Sequence, residues 1–367
     1  MNRFLRTVVE LVAPTRISHP EVPPMELGMT PNDRLERADD VAWAGTGQVD
    51  DVVLVDGELA VATGNVVTVH RADGADQTTL PDRVTAMAAT DNGIVVAVSG
   101  HGLLKVNAGR VDPQSEDVSL RHNVTALLAL PGGELLATVG SSERDLDGWV
   151  WDLFEQKATG SIHRIDADGR IVQSRQGLPW AAGLAEGMEG PGSPVLLSLA
   201  HAHRIEYVDP TSLQSLGTFL EGLPSYPWRI SRAPGRDSWW VSMPLVRSRL
   251  TELMLGEKAF LSDMMATVPT QSWYGPSMAG GSVYREPLQL GGLRVLGQLK
   301  PWAPPRSYGL VVEVDAFGRV LRSLHSRAGG TTHGVVAAVE HEGSLWVAAR
   351  SRSGLVRVTL SEDEVVS

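Results

Sequence analysis

Short apolar segments recur along this chain, and turns that contain Gly, Asp or Asn separate them. Within a segment, apolar and polar residues alternate or apolar residues run without a break, and both patterns are typical of β-strands. An early example is Asp51-Val-Val-Leu-Val-Asp-Gly-Glu-Leu-Ala-Val-Ala62, in which an Asp-Gly pair separates two such segments. The pattern therefore predicts an all-β chain built from antiparallel hairpins.

This hairpin begins a unit that recurs six times. Each copy contains an apolar strand, a turn with Gly, a second strand that often ends in Val-Ala, and a third strand that a turn connects to a fourth. The first strands start at or near Asp51, Val84, Val124, Ala182, Arg229 and Val335. The third strands start at Val66, Leu103, Ser161, Arg204, Gly309 and Gly354. Six four-stranded units on one plan predict a six-bladed β-propeller, and an irregular β-sandwich or solenoid is the alternative.

The last unit lacks an outer strand, because only a polar tail follows Leu360. Residues around Leu35 to Trp43 precede the first unit, and we expect them to supply that strand, since closed β folds remove their exposed edges. We therefore predict a single propeller over residues 31–367, preceded by an N-terminal extension of residues 1–30 that carries a short helix.

Two insertions interrupt the repeat, at about residues 141–159 and 247–306. The first contains Trp149-Val-Trp-Asp-Leu-Phe-Glu155, which has a helical pattern. The second begins with the helical Leu250-Thr-Glu-Leu-Met-Leu255 and then becomes rich in Gly and Pro. Long insertions in a compact fold are often lids or binding loops, and decoration of the propeller surface is the alternative.

Composition limits the classes of partner. The 367 residues are 43% hydrophobic, which is enough for a large core, and the net charge of −11 argues against a nucleic-acid partner. Cysteine is absent from the sequence, which excludes disulfides, thiolate metal sites and cysteine nucleophiles. The excess of arginine over lysine indicates a bacterial source by composition alone. We expect a monomer or a homodimer.

The N-terminal apolar run from Met1 to Pro14 is interrupted by Arg6 and Glu10. It is too short and too charged to span a bilayer or to act as a signal sequence, and later runs do not reach eighteen uninterrupted apolar residues. A short amphipathic helix packed on the domain fits it better, with peripheral membrane contact as the alternative. The sequence predicts a cytoplasmic protein with no membrane span.

One predicted strand begins with an unusual charge. The segment Leu223-Pro-Ser-Tyr-Pro-Trp-Arg-Ile-Ser-Arg232 places Arg229 where an inner strand should start. Burying an unpaired charge costs several kcal/mol, so Arg229 requires a partner.

The same segment resembles a known family. Leu223-Pro-Ser-Tyr-Pro-Trp-Arg-Ile230, followed by Trp240-Val-Ser-Met243, is similar to the Leu-Pro-Gly-Tyr-Pro-Asp-Asn-Ile…Trp-Val-Ala segment of strictosidine-synthase-like proteins. Further similar segments are Pro31–Leu35, Asp152–Gly160, Tyr308–Val311 and Glu340–Gly343. The resemblance covers roughly residues 20 to 360 and extends to the superfamily of gluconolactonases, senescence-marker-type lactonases and paraoxonases.

The resemblance implies a six-bladed propeller with a small-molecule site at one mouth of its central channel. Many relatives hold calcium there, with a Glu or Asp and several Asn side chains at the starts of the inner strands. Hydrolytic members activate a lactone or ester on that ion. The plant strictosidine synthases instead use a Glu as the acid and base of a condensation.

This chain departs from the family at those positions. We align the inner-strand starts as Asp50, Val84, Val124, Ala182, Arg229 and Gly334. Ala182 and Arg229 then replace two metal-binding Asn residues, and only Asp50 or its neighbour Asp51 remains as a carboxylate. Calcium takes six to eight oxygen ligands, and Arg229 would repel it, so we predict no metal cofactor. A slip in the alignment or a relocated ion is the alternative. The condensing Glu falls on Val336, which cannot transfer a proton.

Three residues are candidates for charge and proton chemistry. We predict that the Arg229 guanidinium occupies the position of the cation and pairs with Asp50, or binds a carboxylate or phosphate of a ligand. His333 is a candidate general base, and a solvated or turn-bonding histidine is the alternative. His201 and His203 share a strand face but lack a third ligand for zinc.

Five aromatic residues are candidates for substrate binding. Trp180, Tyr226 and Trp228 fall at predicted channel-mouth positions, and Trp149 and Trp273 lie in the insertions. Flat aromatic walls suit an apolar, aromatic or cationic ligand, and the alternative is that these side chains plug the channel.

These features predict a metal-independent enzyme that resembles strictosidine synthase and carries out a condensation, cyclisation or rearrangement of a small molecule at the channel mouth. The alternatives are a calcium-dependent lactone or ester hydrolase and a non-catalytic small-molecule-binding propeller.

Overall fold

The apolar segments form antiparallel strands, and these assemble into six four-stranded sheets. The structure is a computed structural model. It describes residues 29, 32–41, 47–71, 74–188, 193–270, 273, 275–276, 278, 294–295, 298–299, 309–326 and 331–360. The helix expected within residues 1–30 therefore lies outside the described residues.

Blades 1 to 3 follow the chain in order, with the innermost strand first. A short strand, β1 (Asp39–Val41), precedes them. Blade 1 contains β2 (Val49–Val55), β3 (Glu58–Thr63), β4 (Val66–Arg71) and β5 (Gly74–Thr79). Blade 2 contains β6 (Val84–Thr90), β7 (Gly93–Val98), β8 (Gly102–Asn107) and β9 (Arg110–Ser115). Blade 3 contains β10 (Val124–Ala129), β11 (Leu135–Val139), β12 (Gly160–Ile165) and β13 (Ile171–Leu178).

Blades 4 to 6 complete the ring. Blade 4 contains β14 (Ala181–Glu186), β15 (Val195–Leu199), β16 (Arg204–Val208) and β17 (Ser215–Leu220). A short pair, β18 (Ser225–Tyr226) and β21 (Leu245–Val246), flanks blade 5. Blade 5 contains β19 (Ile230–Arg232), β20 (Ser238–Met243), β24 (Leu310–Asp315) and β25 (Val320–His325). Blade 6 contains β26 (Val335–His341), β27 (Ser344–Ala349) and β28 (Leu355–Thr359), with β1 as its outer strand.

The ring is closed by the N-terminal strand, which confirms the expectation from the sequence. β1 pairs antiparallel with β28, and Asp39 lies opposite Arg357 while Val41 lies opposite Leu355. The fully buried Leu35 precedes this strand and packs in the cluster between blades 5 and 6. One blade is thus assembled from both ends of the propeller, so that its outer edge is covered by a strand from the start of the domain.

The apolar character of the middle strands follows from their place between two blades. On β7, Ile94, Val96 and Val98 pack in a cluster with blade 1. The alternate residues Val95 and Ala97 pack in a cluster with blade 3. Because both faces of the strand are covered, alternation of apolar and polar residues disappears and a continuous apolar run results. Each fully buried Val or Ile side chain contributes about 1.5–3 kcal/mol to stability.

The insertions carry the helices. Between β11 and β12 lies α1 (Trp149–Glu155). Between β21 and β24 lie α2 (Arg249–Gly256), α3 (Lys258–Thr267) and a short hairpin of β22 (Arg294–Val295) and β23 (Gln298–Leu299). Short 3-10 turns occur at Val118–Leu120, Pro131–Gly133 and Ala200–Ala202. In the described part of the chain, helices long and apolar enough to cross a bilayer do not occur.

Candidate functional site

A ring of bulged residues surrounds one end of the channel. In five innermost strands, the register with the next strand skips a single residue near the start of the strand, at Asp50, Thr85, Thr125, Ala182 and Val336. In blade 5, the Trp228 N–H donates to the Ser242 carbonyl and the Ser242 N–H donates to the Arg229 carbonyl, which puts Arg229 at the equivalent place.

The bulges correct the alignment made from the sequence. Blades 2 and 3 contribute Thr85 and Thr125 rather than Val84 and Val124, and blade 6 contributes Val336 rather than Gly334. The one- and two-residue errors arose because a bulge adds a residue to one strand without changing its apolar pattern.

Arg229 spans the ring. Its Nε donates to the carbonyl of Thr125 at 3.1 Å, and Nη1 donates to the carbonyl of Asp50 at 3.3 Å. Nη2 donates to the carbonyl of Thr85. These carbonyls belong to three different blades, so a single guanidinium holds blades 1, 2 and 3 together at the channel.

The carboxylate partner of Arg229 is Asp51, not Asp50 as the sequence predicted. The two side chains diverge because they are consecutive residues at a bulge. Asp51 is 2% exposed and also accepts hydrogen bonds from the N–H groups of Val52 and Met87 at 2.9 and 2.8 Å. Burial raises the pKa of Asp51, against the opposing effect of Arg229 and these two N–H groups.

Asp50 instead accepts hydrogen bonds from two other arginines. Its Oδ1 lies 2.6 Å from Nη2 of Arg83 and 2.7 Å from Nη1 of Arg350, and its Oδ2 accepts from the N–H of Gly64 at 2.9 Å. The Arg350 side chain is only 8% exposed, and its Nε lacks a hydrogen-bond partner among the described residues. Burial lowers the pKa of Arg350, and the positive charges of Arg83 and Arg229 act in the same direction.

A cavity of about 100 Å³, partly open to solvent, lies at this ring and is called the mouth cavity below. Its charged lining residues are Asp50, Arg83, Asp145, Asp147, Arg229 and Arg350. Its other lining residues are Thr85, Ser99, Asn123, Val124, Thr125, Leu146, Trp228 and Val336. Asp50 and Arg229, which the sequence singled out, therefore meet at one cavity, together with Arg83 and Arg350, which it did not.

The five predicted aromatic residues pack mostly behind the mouth cavity. Of these, only Trp228 lines it. The ring centroid of Trp228 lies 6.2 Å from that of Trp180 and 6.5 Å from that of Trp149, and Trp149 lies 5.1 Å from Tyr226. All are at most 4% exposed, as is Trp273. They form a packed layer between the propeller and its insertions.

Trp273 and His333 do not line the mouth cavity. Trp273 packs against Trp151 and Phe154 of the first insertion, with ring centroids 4.1 and 5.8 Å apart. His333 precedes β26, and its backbone N–H donates to Oγ of Ser351 at 2.6 Å. His333 is not among the residues that line the cavity. Asp50 and Arg229 thus line this cavity together, and His333 does not line it with them.

The turn of blade 4 joins the helices to the propeller, a feature that the sequence did not reveal. Nδ1 of His201 lies 3.3 Å from Asp152 of α1, and Nε2 of His203 lies 3.5 Å from Glu252 of α2. Burial lowers the pKa of both histidines. Burial alone would raise the pKa of Glu252, but its hydrogen bonds to His203 and Arg247 outweigh this effect and lower the pKa to about 2.

Arg83 and Arg350 carry a weak signal in the sequence. Arg83 directly precedes the apolar strand β6, and Arg350 directly follows the buried strand β27. An arginine beside an otherwise apolar strand could have been noted in the same way as Arg229. Their convergence on one carboxylate depends on the closure of the ring, which places blades 1, 2 and 6 side by side.

Comparison with known proteins finds only distant structural similarity. The sequence matches no protein-family profile and no curated protein. Among solved structures, the chain is similar to YCF48 bound to a D1 peptide, with 11% identity over 94% of this chain and 100% of that chain and a TM-score of 0.47. It is also similar to a chain of a mitotic checkpoint complex, with 9% identity, coverage of 86% and 78%, and a TM-score of 0.49. A protein of unknown function from Bacteroides caccae has 11% identity, coverage of 80% and 82%, and a TM-score of 0.42. We draw nothing on ligand or activity from these similarities.

Proposed function

We propose that this protein binds a small molecule with an acidic group in the mouth cavity, and that it does so without a metal cofactor. The supporting observation is that two guanidinium groups, those of Arg83 and Arg350, share the single carboxylate of Asp50. One carboxylate balances one of these charges. A positive charge in a largely buried position remains for a ligand carboxylate or phosphate.

Arg350 gains the most from a bound anion. Its side chain is almost fully buried, and its Nε has no acceptor among the described residues. An unpaired buried donor of this kind costs about 1–3 kcal/mol, and an anion in the cavity would interact favourably with the charge of this guanidinium. The adjoining Trp228, Leu146 and Val336 offer apolar surface for the body of the same molecule.

The donor set at the ring does not fit calcium, the ion that the family resemblance implies. Carbonyls of Asp50, Thr85 and Thr125 already accept from Arg229, and Ala182 offers no side-chain oxygen. A calcium ion needs six to eight oxygens and would be repelled by the guanidinium beside it. We therefore propose metal-independent binding, and a calcium-dependent lactone or ester hydrolase is not supported.

A condensation, cyclisation or rearrangement is the second candidate function. It is favoured by Asp50, a buried carboxylate that lines the cavity and could exchange a proton with a substrate. Both oxygens of Asp50 are engaged, however, by Arg83, Arg350 and Gly64. Val336 is apolar and His333 does not line the cavity. Binding is therefore the function that the geometry supports better.

Isothermal titration calorimetry with 4-methylphenylacetate and with inorganic phosphate tests the proposal. We expect the protein to bind at least one of these anions, and Arg83→Gln to weaken binding about tenfold or more, because a charge-assisted hydrogen bond contributes about 1.5–3 kcal/mol. The matched control is Arg110→Gln, an exposed arginine on β9 that pairs with Asp112. It should leave binding unchanged.

Two results would overturn the proposal. The first is that neither anion binds, or that Arg83→Gln and Arg110→Gln bind equally well. The second concerns the metal: a clear rise in the melting temperature on addition of micromolar calcium would show that the ion has a site here. Neither result depends on knowing the natural ligand.

A further inference from the structure

The charges around the mouth cavity are separated by depth. Asp50, Arg229 and Arg350 line its buried end, and Asp51 lies behind them as the partner of Arg229; each of these side chains is no more than 12% exposed. Asp145 and Asp147 lie at its exposed rim, in the segment that leads into α1. Arg83, with a side chain 34% exposed, lies between the two levels. The buried end and Arg83 together hold three guanidinium groups and two carboxylates, so a single positive charge faces two negative charges at the rim.

The rim carboxylates are not neutralised within their own segment. The nearby cations Arg144 and Lys157 pair with Glu155 and Glu143. Among the described residues, Asp145 and Asp147 form no ion pair, and Oδ1 of Asp145 accepts only the N–H of Gly148, at 2.9 Å. Both residues line the same cavity as Arg83, and both carboxylates act electrostatically on its guanidinium.

From this separation we infer that the ligand is a zwitterion, with its anionic group toward Arg83 and Arg350 and a cationic group toward Asp145 and Asp147. The inference rests on the proposed function, because the anionic group is the one proposed above. The carboxylates of Asp145 and Asp147 would repel a simple anion, and the buried arginines would repel a simple cation. A molecule with both charges at opposite ends avoids each penalty and places its apolar body against Leu146 and Trp228.

Three probes that share one aromatic ring test this charge pattern by calorimetry. 4-(Aminomethyl)phenylacetate carries both charges at opposite ends of the ring, 4-methylphenylacetate carries only the carboxylate, and 4-methylbenzylamine carries only the ammonium group. We expect the zwitterion to bind about two- to thirtyfold more tightly than the anion at low salt, since its ammonium group gains two exposed ion pairs. High salt should reduce this preference.

The variant Asp145→Asn/Asp147→Asn should abolish the preference and leave the affinity for the anion unchanged or higher. Asparagine at position 145 can still accept the hydrogen bond from Gly148, so the start of α1 is retained. The matched control is Asp56→Asn/Asp168→Asn, which removes two exposed charges from turns that do not line the cavity. This control should keep the full preference for the zwitterion.

The outcomes separate this inference from the proposed function. If the anion and the zwitterion bind equally well to the unaltered protein, the inference fails and the proposed function stands. If the preference survives in Asp145→Asn/Asp147→Asn, the rim is not its source and the inference also fails. If none of the three probes binds, or only 4-methylbenzylamine binds, the inference fails, and the proposed function fails with it when inorganic phosphate does not bind either.

Discussion

The planar guanidinium of Arg229 matches the arrangement of the acceptors that surround it. A guanidinium offers five donors in one plane, and here they reach carbonyls on three blades as well as the carboxylate of Asp51. The charge that looked unfavourable at the start of a strand is thus fully compensated within one layer of the channel. The same contacts support the proposal that Arg229, which departs from the family pattern within the segment that carries the resemblance, stands where the resemblance implies a calcium ion.

The double variant Arg229→Asn/Ala182→Asn tests whether Arg229 stands in place of an ion. It frees the carbonyls of Asp50, Thr85 and Thr125, leaves Asp51 without its cation, and adds two side-chain oxygens at the ring. These oxygens approach the number that calcium requires, so we expect measurable calcium binding by calorimetry. The control is Ala182→Asn alone, which keeps the guanidinium and should bind no calcium. A double variant that folds, by circular dichroism, but gains no affinity for calcium would contradict this assignment.

At the scale of the element, strands were easier to predict than their register. The apolar runs and Gly-containing turns identified the strands, because burial between two blades leaves a clear hydrophobic signal, as on β7. The polar tail after Leu360 similarly predicted that β1 would complete blade 6. The bulges at Thr85, Thr125 and Val336 left no such signal, because one extra residue in a strand changes which side chain faces the channel but not the composition of the segment.

The candidate site was predictable only in part for the same reason. Asp50 and Arg229 stood out as charges at strand starts, but the pairing of Arg229 with Asp51 depended on which of two adjacent carboxylates points into the channel. Contacts between distant parts of the chain left no local pattern either. Arg83 and Arg350 are far apart in the sequence and meet only because the ring closes.

The attachment of α2 to the propeller depends on Glu252. Its carboxylate pairs with Arg247, at 2.9 Å, and with His203 of the blade 4 turn, at 3.5 Å. The Arg247 side chain is 2% exposed, so Glu252→Gln would leave a buried guanidinium without its counter-charge. We expect this variant to lower the free energy of unfolding by about 3 kcal/mol, measured by urea denaturation. Glu342→Gln, at a position 84% exposed, is the control and should change it by less than about 0.5 kcal/mol. Equal stabilities of the two variants would contradict this role for Glu252.

At the scale of the whole molecule, partial or full burial lowers the pKa of several histidines. Burial lowers the pKa of His70, His163, His201, His203 and His325, and for His325 it lowers the pKa to about 4. These residues lie in blades 1, 3, 4 and 5, so the effect is distributed around the ring. The unfolded chain, in which a histidine has a pKa of about 6.5, binds protons at a pH where the folded protein does not.

Acidification should therefore lower the stability of the folded protein. For a group with a depressed pKa in the folded state, this difference in bound protons makes stability fall as the pH decreases from about 6.5 toward the folded value. Each such histidine contributes at most about 1.4 kcal/mol per pH unit within that window. We therefore expect the free energy of unfolding to decrease between pH 7 and pH 5, before most carboxylates begin to be protonated.

His325→Gln isolates the contribution of one histidine to this slope. His325 is 4% exposed, and its Nε2 lies 2.9 Å from Oγ of Ser323, a hydrogen bond that glutamine can also form. Urea denaturation at a series of pH values should show a shallower decrease in stability for this variant, by up to about 1.4 kcal/mol per pH unit. His101→Gln, which alters an exposed histidine in the turn before β8, should retain the slope of the unaltered protein. If His325→Gln shows that same unaltered slope, His325 is not protonated on unfolding in this window, and the acid sensitivity must come from the other four histidines with a lowered pKa.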